Sequence, residues 1–291
     1  MYGTILVPID GSSGADSAVA RAFDLARTGD ATVHVLHVVD TGLEPDRLDA
    51  AARRELRRHT EKRGREATVE IHQRATERGL EAVRAVREGI PHRVIRAYAD
   101  EHDVDLIVMG THGRTGADRA RLGSTTERVI ALADVPVLAV RLADEAVPDS
   151  GYGMYDHVVI PTDGSDAAGR AVDHGLGIAE RYGADVHAIY VVDTTTYGLA
   201  DAPRSVVGPL EEGGRNAVEA VATAARERSL PVTTAVLRGV PPDEILEYAE
   251  GVDADLLAMG TRGRTAADDR LLGSTTARVL RRSAAPVLTS R

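Results

Sequence analysis

MGTHGRTGADRARLGSTTERVI runs from Met109 to Ile130, and MGTRGRTAADDRLLGSTTARVL returns from Met259 to Leu280, identical at 15 of 22 positions. In both copies a short apolar run, VDLIVMG at 104–110 and ADLLAMG at 254–260, leads into the glycines. An amphipathic stretch follows each Gly-Ser-Thr-Thr. Strand, loop and helix in succession are the unit from which parallel sheets are wound.

The duplication extends outward over nearly the whole chain. TILVPIDGS (4–12) returns as HVVIPTDGS (157–165), and ATVHVLHVVD (31–40) as ADVHAIYVVD (184–193). REGIPHRVI (87–95) is matched by LRGVPPDEI (237–245), and DVPVLAV (134–140) by AAPVLTS (284–290). A repeat this long is a duplicated domain rather than a solenoid. The offset of 153 early and 150 late leaves the second copy three residues shorter in its middle. Between the copies, LADEAVPDSGYGM (142–154) replaces periodic apolar residues with Asp, Glu, Pro, Ser and Gly, as linkers do. The expected domains are therefore 1–143 and 155–291, with 144–154 as the linker.

Within the first copy the pattern predicts strands near 4–9, 32–39, 80–87, 105–109 and 136–141. Helices are expected near 14–28, 44–64, 91–102 and 124–133. Ala18, Val19, Ala22, Leu25 and Ala26 repeat at i, i+3, i+4 and define one buried helical stripe. The segment 60–80 is charged and weakly periodic. Alternating strands and helices imply right-handed crossovers. The result is an α/β fold: a doubly wound, five-stranded parallel sheet of order 3-2-1-4-5 with helices on both faces, made twice.

Composition narrows the class. The 291 residues contain no Cys and no Trp, which excludes disulfide scaffolds, thiolate metal sites and cysteine nucleophiles. No apolar run approaches the ~18 residues of a membrane span, so the cytoplasm is the expected location. A net charge of −10 opposes non-specific nucleic-acid binding. Of 35 basic residues only Lys62 is lysine. An acidic, arginine-rich surface suits a halophilic source with a high-salt cytoplasm, and GC-rich codon usage favours the same residues.

In doubly wound sheets ligands bind beyond the carboxyl ends of the strands, where strand order reverses. The loop after Met109 lies there. Gly110 and Gly113 allow positive φ and close approach of backbone amides. Gly123 leads into a helix whose first residues are Ser124, Thr125 and Thr126. Helix starts expose unpaired amides and partial positive charge, which together suit phosphate. The alternative is a loop whose glycines only turn the chain and whose Ser124 is an N-cap, with Glu127 completing a capping box. The second copy keeps Ser274 and Thr275 but has Ala277, so capping does not explain what the loops share.

The spacing G-x2-G-x9-G-[ST], at Gly110, Gly113, Gly123 and Ser124 and again at Gly260, Gly263, Gly273 and Ser274, resembles the nucleotide loop of the universal stress protein family. So do ILVPIDGS and VIPTDGS, HVVD and YVVD, the G-[IV]-P turns at 89–91 and 239–241, and VPVL and APVL in the last strand. The resemblance covers both halves and implies the ATP-binding branch, with a Rossmann-like domain of the adenine nucleotide alpha hydrolase type. It implies that Asp10 and Asp163 contact the nucleoside and that Val38 and Val191 offer backbone bonds to the adenine edge. Pro8 and Pro161 would shape the strand exit. Met109 and Met259 would pack on the base or fill core. Arg114, recurring as Arg264, would reach phosphate, whereas Arg119 and Arg121 read as solvated surface. ATP (or ADP or AMP) with Mg²⁺ is the implied ligand.

An enzyme needs more than a cradle. There is no G-x4-G-K-[ST], HExxH or GxSxG, and His112 becomes Arg262 in the second copy. His34 and His37 alternate with valines on a strand and read as satisfied strand histidines rather than metal ligands. A nucleotide-dependent stress-response module is therefore favoured over a slow Mg-dependent ATPase or a phosphotransferase autophosphorylating on a loop Ser or Thr such as Ser124. A scaffold with decayed sites is a third reading. The last strands, at 136–141 and 286–290, are expected to pair antiparallel as an intramolecular pseudo-dimer. A homodimer and an unknown protein partner remain open; nucleic acid and membrane are not expected.

Overall fold

The computed structural model describes residues 2–11, 13–42, 49–111, 122–141, 154–195, 203–263 and 272–291. The chain divides into two compact units, Met1–Pro148 and Asp149–Arg291. Unit 1 contains β1 (Thr4–Ile9), α1 (Ser13–Gly29), β2 (Thr32–Asp40), α2 (Ala50–Glu77), β3 (Ala82–Gly89), α3 (Pro91–Glu101), β4 (Leu106–Gly110), α4 (Ser124–Leu132) and β5 (Val137–Val140). Its strands lie in the order β3-β2-β1-β4-β5, all parallel. Unit 2 contains β6 (His157–Pro161), α5 (Asp166–Tyr182), β7 (Asp185–Asp193), α6 (Arg204–Glu227), β8 (Val232–Gly239), α7 (Pro241–Gly251), β9 (Leu256–Gly260), α8 (Ser274–Arg282) and β10 (Val287–Ser290). Its order, β8-β7-β6-β9-β10, is again parallel throughout. The expected doubly wound fold is present in each unit.

The central strands are apolar on both faces because helices cover both sides. Ile5, Leu6, Val7, Val33, Val35 and Leu36 are all fully buried. Ala18, Val19, Ala22, Leu25 and Ala26 of α1 are buried as the helical spacing required. At the amino end of each sheet an aspartate ties two strands together. Asp105 Oδ2 accepts from the amides of Gly3 (2.7 Å) and Thr4 (2.9 Å), and Asp255 Oδ2 from those of Asp156 (2.9 Å) and His157 (3.0 Å).

Helix α2 is the main departure from the sequence-based boundaries. It reaches Glu77, far beyond 64, and the expected start near 44 lies outside the described residues. Asp49 caps it, accepting from the amides of Ala51 and Ala52 at 2.9 and 2.8 Å. Only Gly64, Thr68, Ile71 and Ala75 are buried along it. That stripe is one residue wide and built mostly from small or polar types, so hydrophobic periodicity hardly registers it. Gly79, at φ +73°, stops the helix in the left-handed region, and β3 begins two residues later than the apolar pattern suggested.

The strand histidines are paired, His37 in the core and His34 and His187 half-buried. His34 Nδ1 lies 3.0 Å from the Tyr98 hydroxyl, His37 Nδ1 lies 3.1 Å from the Ile9 carbonyl oxygen, and His187 Nδ1 lies 3.1 Å from the Tyr248 hydroxyl. Burial pushes the pKa of His34 and His187 below the ordinary 6.5, helped by neighbouring His102 and His157 respectively. Such groups bind protons less readily in the fold than once unfolded. Stability from them is therefore complete above pH 6.5 and falls as pH drops below it. The urea midpoint should decline as pH falls below about 6.5, and less steeply in His34→Gln/His187→Gln. Parallel slopes would contradict this assignment.

Candidate functional site

The backbone alternation explains why the rim opens where it does. Gly3 O accepts from Thr32 N, and Thr4 O accepts from Asp105 N, so even-numbered β1 residues face β4. Pro8 is even-numbered and has no amide hydrogen to give. The β1–β4 register ends at Leu6↔Ile107. Unit 2 repeats this: His157 O accepts from Asp255 N, which turns odd-numbered Pro161 toward β9, and that register ends at Val159↔Leu257. Each proline thus parts two central strands at the topological switch point, where ligands enter such sheets.

The second strand of each unit runs past the first. The β1–β2 register ends at Ile9↔His37 and the β6–β7 register at Pro161↔Ile189. By the same alternation, Thr32 N turns to β1 and Val33 N to β3, so Val38 lies with its backbone on the β1 side. Its carbonyl points beyond the end of β1. Val191 occupies the matching place beside β6, since Asp185 N turns to β6 and Val186 N to β8.

The turn after the first strand holds the aspartates. Gly11 and Gly164 adopt φ +77° and +74°, which glycine alone takes without strain. Asp163 Oδ1 accepts from Ser165 N at 3.0 Å, and Ser165 Oγ caps α5 by accepting from Ala168 N at 3.2 Å. The other oxygen, Oδ2, lies 2.7 Å from where a Cβ on Gly263 would stand. The first turn and the loop after β9 therefore meet, and Gly263 admits the carboxylate.

The remaining glycines act differently from the sequence-based expectation. Gly110, Gly123, Gly260, Gly263 and Gly273 are all absent from the positive-φ positions. A Cβ on Gly260 would stand 3.0 Å from Ala167 C and Ala168 N, the start of α5. One on Gly273 would stand 3.2 Å from the Thr261 carbonyl oxygen. Close packing, not a left-handed turn, is what these two supply.

The helix starts need a second correction. Gly123 and Gly273 are the N-caps, Ser124 and Ser274 are the first helical residues, and no side chain caps either helix. The capping box Ser124–Glu127 does not form, because Ser124 sits one position too far in. A different device anchors the start. Thr126 Oγ1 donates to Gly110 O and Thr276 Oγ1 to Gly260 O, both at 2.8 Å. Gly123 N donates to Thr111 O (2.8 Å) and Gly273 N to Thr261 O (2.9 Å). These threonines are buried. Each glycine cap is thus held at the end of its strand, and helix geometry leaves the first-turn amides that follow it without intrahelical partners. Ser124 and Ser274 are exposed there.

Of the sequence-derived site residues, Pro8, Asp10, Val38, Met109, Gly110, Gly123, Ser124 and Thr125 share the carboxyl rim of unit 1. Pro161, Asp163, Val191, Met259, Gly260, Gly263, Gly273, Ser274 and Thr275 share that of unit 2. Met109 and Met259 are buried in their strands, 5% exposed each. Gly113, Arg114, Arg119, Arg121, His112 and Arg264 lie outside the described residues. Sequence reasoning passed over the anchoring threonines, although M-G-T and S-T-T recur unchanged. It also passed over His92 at the start of α3, whose pKa is lowered by burial and by Arg128, Arg93 and Arg96, and raised by Asp40. Pro242 replaces it in unit 2, so no repeat signal marked it.

Two tandem doubly wound units, each with an uncapped helix start at the carboxyl end of its sheet, define a class of α/β protein whose ligand crevice, where one is used, lies at the switch point. The sequence model of the Universal stress protein family matches residues 1–141 and 154–291. The chain belongs to that family. A universal stress protein of Methanocaldococcus jannaschii is 42% identical over 142 residues, covering 48% of this chain and 84% of its own. One from Mycolicibacterium smegmatis is 29% identical and covers 100% of this chain and 97% of its own. Among solved structures, a universal stress protein from Archaeoglobus fulgidus superposes with a TM-score of 0.73 at 23% identity, covering 99% of this chain and 96% of that one. That likeness concerns the fold. No described helix is long and apolar enough to cross a membrane.

Proposed function

We propose that each unit binds an adenine nucleotide, ATP foremost, and that occupancy makes the chain a regulatory module of a stress response. The observation that carries this reading is the helix start held open by Thr126 and by Thr276 beside a proline-parted crevice. The amides of Ser124, Thr125, Ser274 and Thr275 take the phosphates, helped by Gly113, Arg114, Gly263 and Arg264. Asp10 and Asp163 accept hydrogen bonds from ribose hydroxyls. The backbone of Val38 and Val191 meets the adenine edge, with Met109 and Met259 behind the base.

Among the described residues no group of three or more His, Asp or Glu is disposed to hold a metal ion. Mg²⁺ accordingly fits this site as a companion of the phosphates, held mainly by their oxygens and water. There it would screen phosphate charge from Asp10 and Asp163.

Calorimetric titration of the full chain with ATP, ADP and AMP in excess Mg²⁺, alongside a phosphate-release assay, tests the reading. The expected result is saturable binding that weakens as phosphates are removed, without turnover. Sustained hydrolysis that disappears in Gly123→Val would replace the module with a slow ATPase.

A further inference from the structure

Strand β3 ends the sheet of unit 1. Glu81 O and Gly89 O accept from Val33 N and Thr41 N, so odd-numbered β3 residues turn their backbone toward β2. Ala82, Arg84, Val86 and Glu88 turn theirs outward, away from any strand among the described residues. A cavity of about 330 Å³ follows this edge, walled by five consecutive residues, 83–87, with Arg65 of α2, Tyr98 of α3 and His102, the C-cap of α3, on its flanks. A cavity bounded by five successive residues of one strand is a groove along it, roughly 13 Å long at the rise of a strand.

The groove is basic on a chain of net charge −10. Side chains alternate along a strand, so Arg84 and Arg87 project from opposite faces of the sheet. Arg84 is exposed and makes no ion pair among the described residues. Arg87 lies over the Tyr98 ring at 5.8 Å and reaches Glu101 only at 3.8 Å. Arg65 is held by Glu61. Unit 2 places Thr234, Leu237 and Val252 where unit 1 has Arg84, Arg87 and His102, yet builds the same sheet. The fold does not require the basic residues.

Charges on an edge strand commonly block unwanted pairing. Unit 2's edge carries one exposed arginine, Arg238, and Glu211 pairs with it, whereas Arg84 makes no ion pair among the described residues, so protection of the edge does not account for Arg84. A small anion would meet a guanidinium on one face only. An extended chain, whose side chains also alternate, meets both and brings backbone partners for the open edge. We propose that the β3 edge of unit 1 binds an extended acidic peptide segment of a partner protein by strand addition, pairing with the backbone of Arg84 and Val86 and placing carboxylates against Arg84 and Arg87. This goes beyond nucleotide binding and does not depend on it.

The test is fluorescence anisotropy of the full chain with a labelled Thr-Glu-Asp-Val-Glu-Asp-Thr peptide. Controls are the same peptide with lysine for each acid and a version N-methylated at alternate amides. Saturable, salt-sensitive binding is expected for the acidic peptide alone. It should weaken by about tenfold or more in Arg84→Thr/Arg87→Leu and on N-methylation. That variant carries the unit 2 residues, and an unchanged melting temperature establishes that it folds. Hydrogen exchange should show peptide-dependent protection of the Arg84 and Val86 amides. The proposal is overturned by equal affinity for the N-methylated peptide, by equal affinity of the variant, or by no binding at millimolar peptide. It is overturned as well if inorganic phosphate displaces nothing but occupies the groove itself, or if β3 is protected through self-association without peptide.

Discussion

Asp10→Ala/Asp163→Ala should bind ATP at least about thirtyfold more weakly than the parent chain, a loss of roughly 2 kcal/mol per site, the size of one charge-assisted hydrogen bond. The geometry allows this because Asp163 divides its labour. Oδ1 holds the turn through Ser165 N, while Oδ2 lies at the junction with Gly263. A carboxylate near phosphates is otherwise unfavourable, so if the aspartate only built the turn its removal would leave affinity unchanged or raise it. The two readings thus predict opposite signs. Asp10→Asn/Asp163→Asn separates turn from ligand contact, because an amide oxygen still accepts from Ser165 N. It should retain most stability and part of the affinity. Affinity equal to or tighter than the parent's in the alanine variant would remove the aspartates from the site.

The second large effect is on stability. Gly64→Ala should destabilise unit 1 by about 2–3 kcal/mol, at the upper end for overpacking a core. Mid-helix glycine ordinarily costs ~0.5–1 kcal/mol relative to alanine, so on propensity alone the substitution would stabilise. A Cβ on Gly64, however, would stand 2.1 Å from His37 Cδ2, and that ring is 4% exposed and tied to Ile9 O. Unit 2 repeats the contact with other partners: a Cβ on Gly214 would stand 2.6 Å from Tyr190 Cδ1. Chemical denaturation monitored separately for each unit reads the effect. Combining Gly64→Ala with His37→Ala should recover part of the loss, a coupling that additive behaviour would contradict.

These examples show what was legible in the chain. The duplication and the five strands of each copy followed from apolar runs and helical stripes, because burial on both faces leaves a direct mark on composition. The length of α2 did not, since Gly64, Thr68, Ile71 and Ala75 bury a narrow stripe in an otherwise charged helix. The rim glycines were found by spacing, yet their physical roles were not. Gly260 and Gly273 spare a Cβ for packing, whereas a sequence carries no information about which neighbour comes close. Ser124 read as a cap because S-T-T-E fits the pattern; the structure moves the cap to Gly123 and hands the anchoring to Thr126. That Pro8 shapes the strand exit was expected, but which neighbouring strand loses the hydrogen bond came only from the strand alternation.

The central claim is that first-turn amides of α4 and α8 bind the phosphates of an adenine nucleotide. Amide-resolved NMR of the full chain during titration with Mg²⁺-ATP examines it most directly. The account predicts saturable shifts at Ser124, Thr125, Ser274 and Thr275 that shrink with ADP and again with AMP. Amides that stay unmoved at these four positions through millimolar ATP would contradict it.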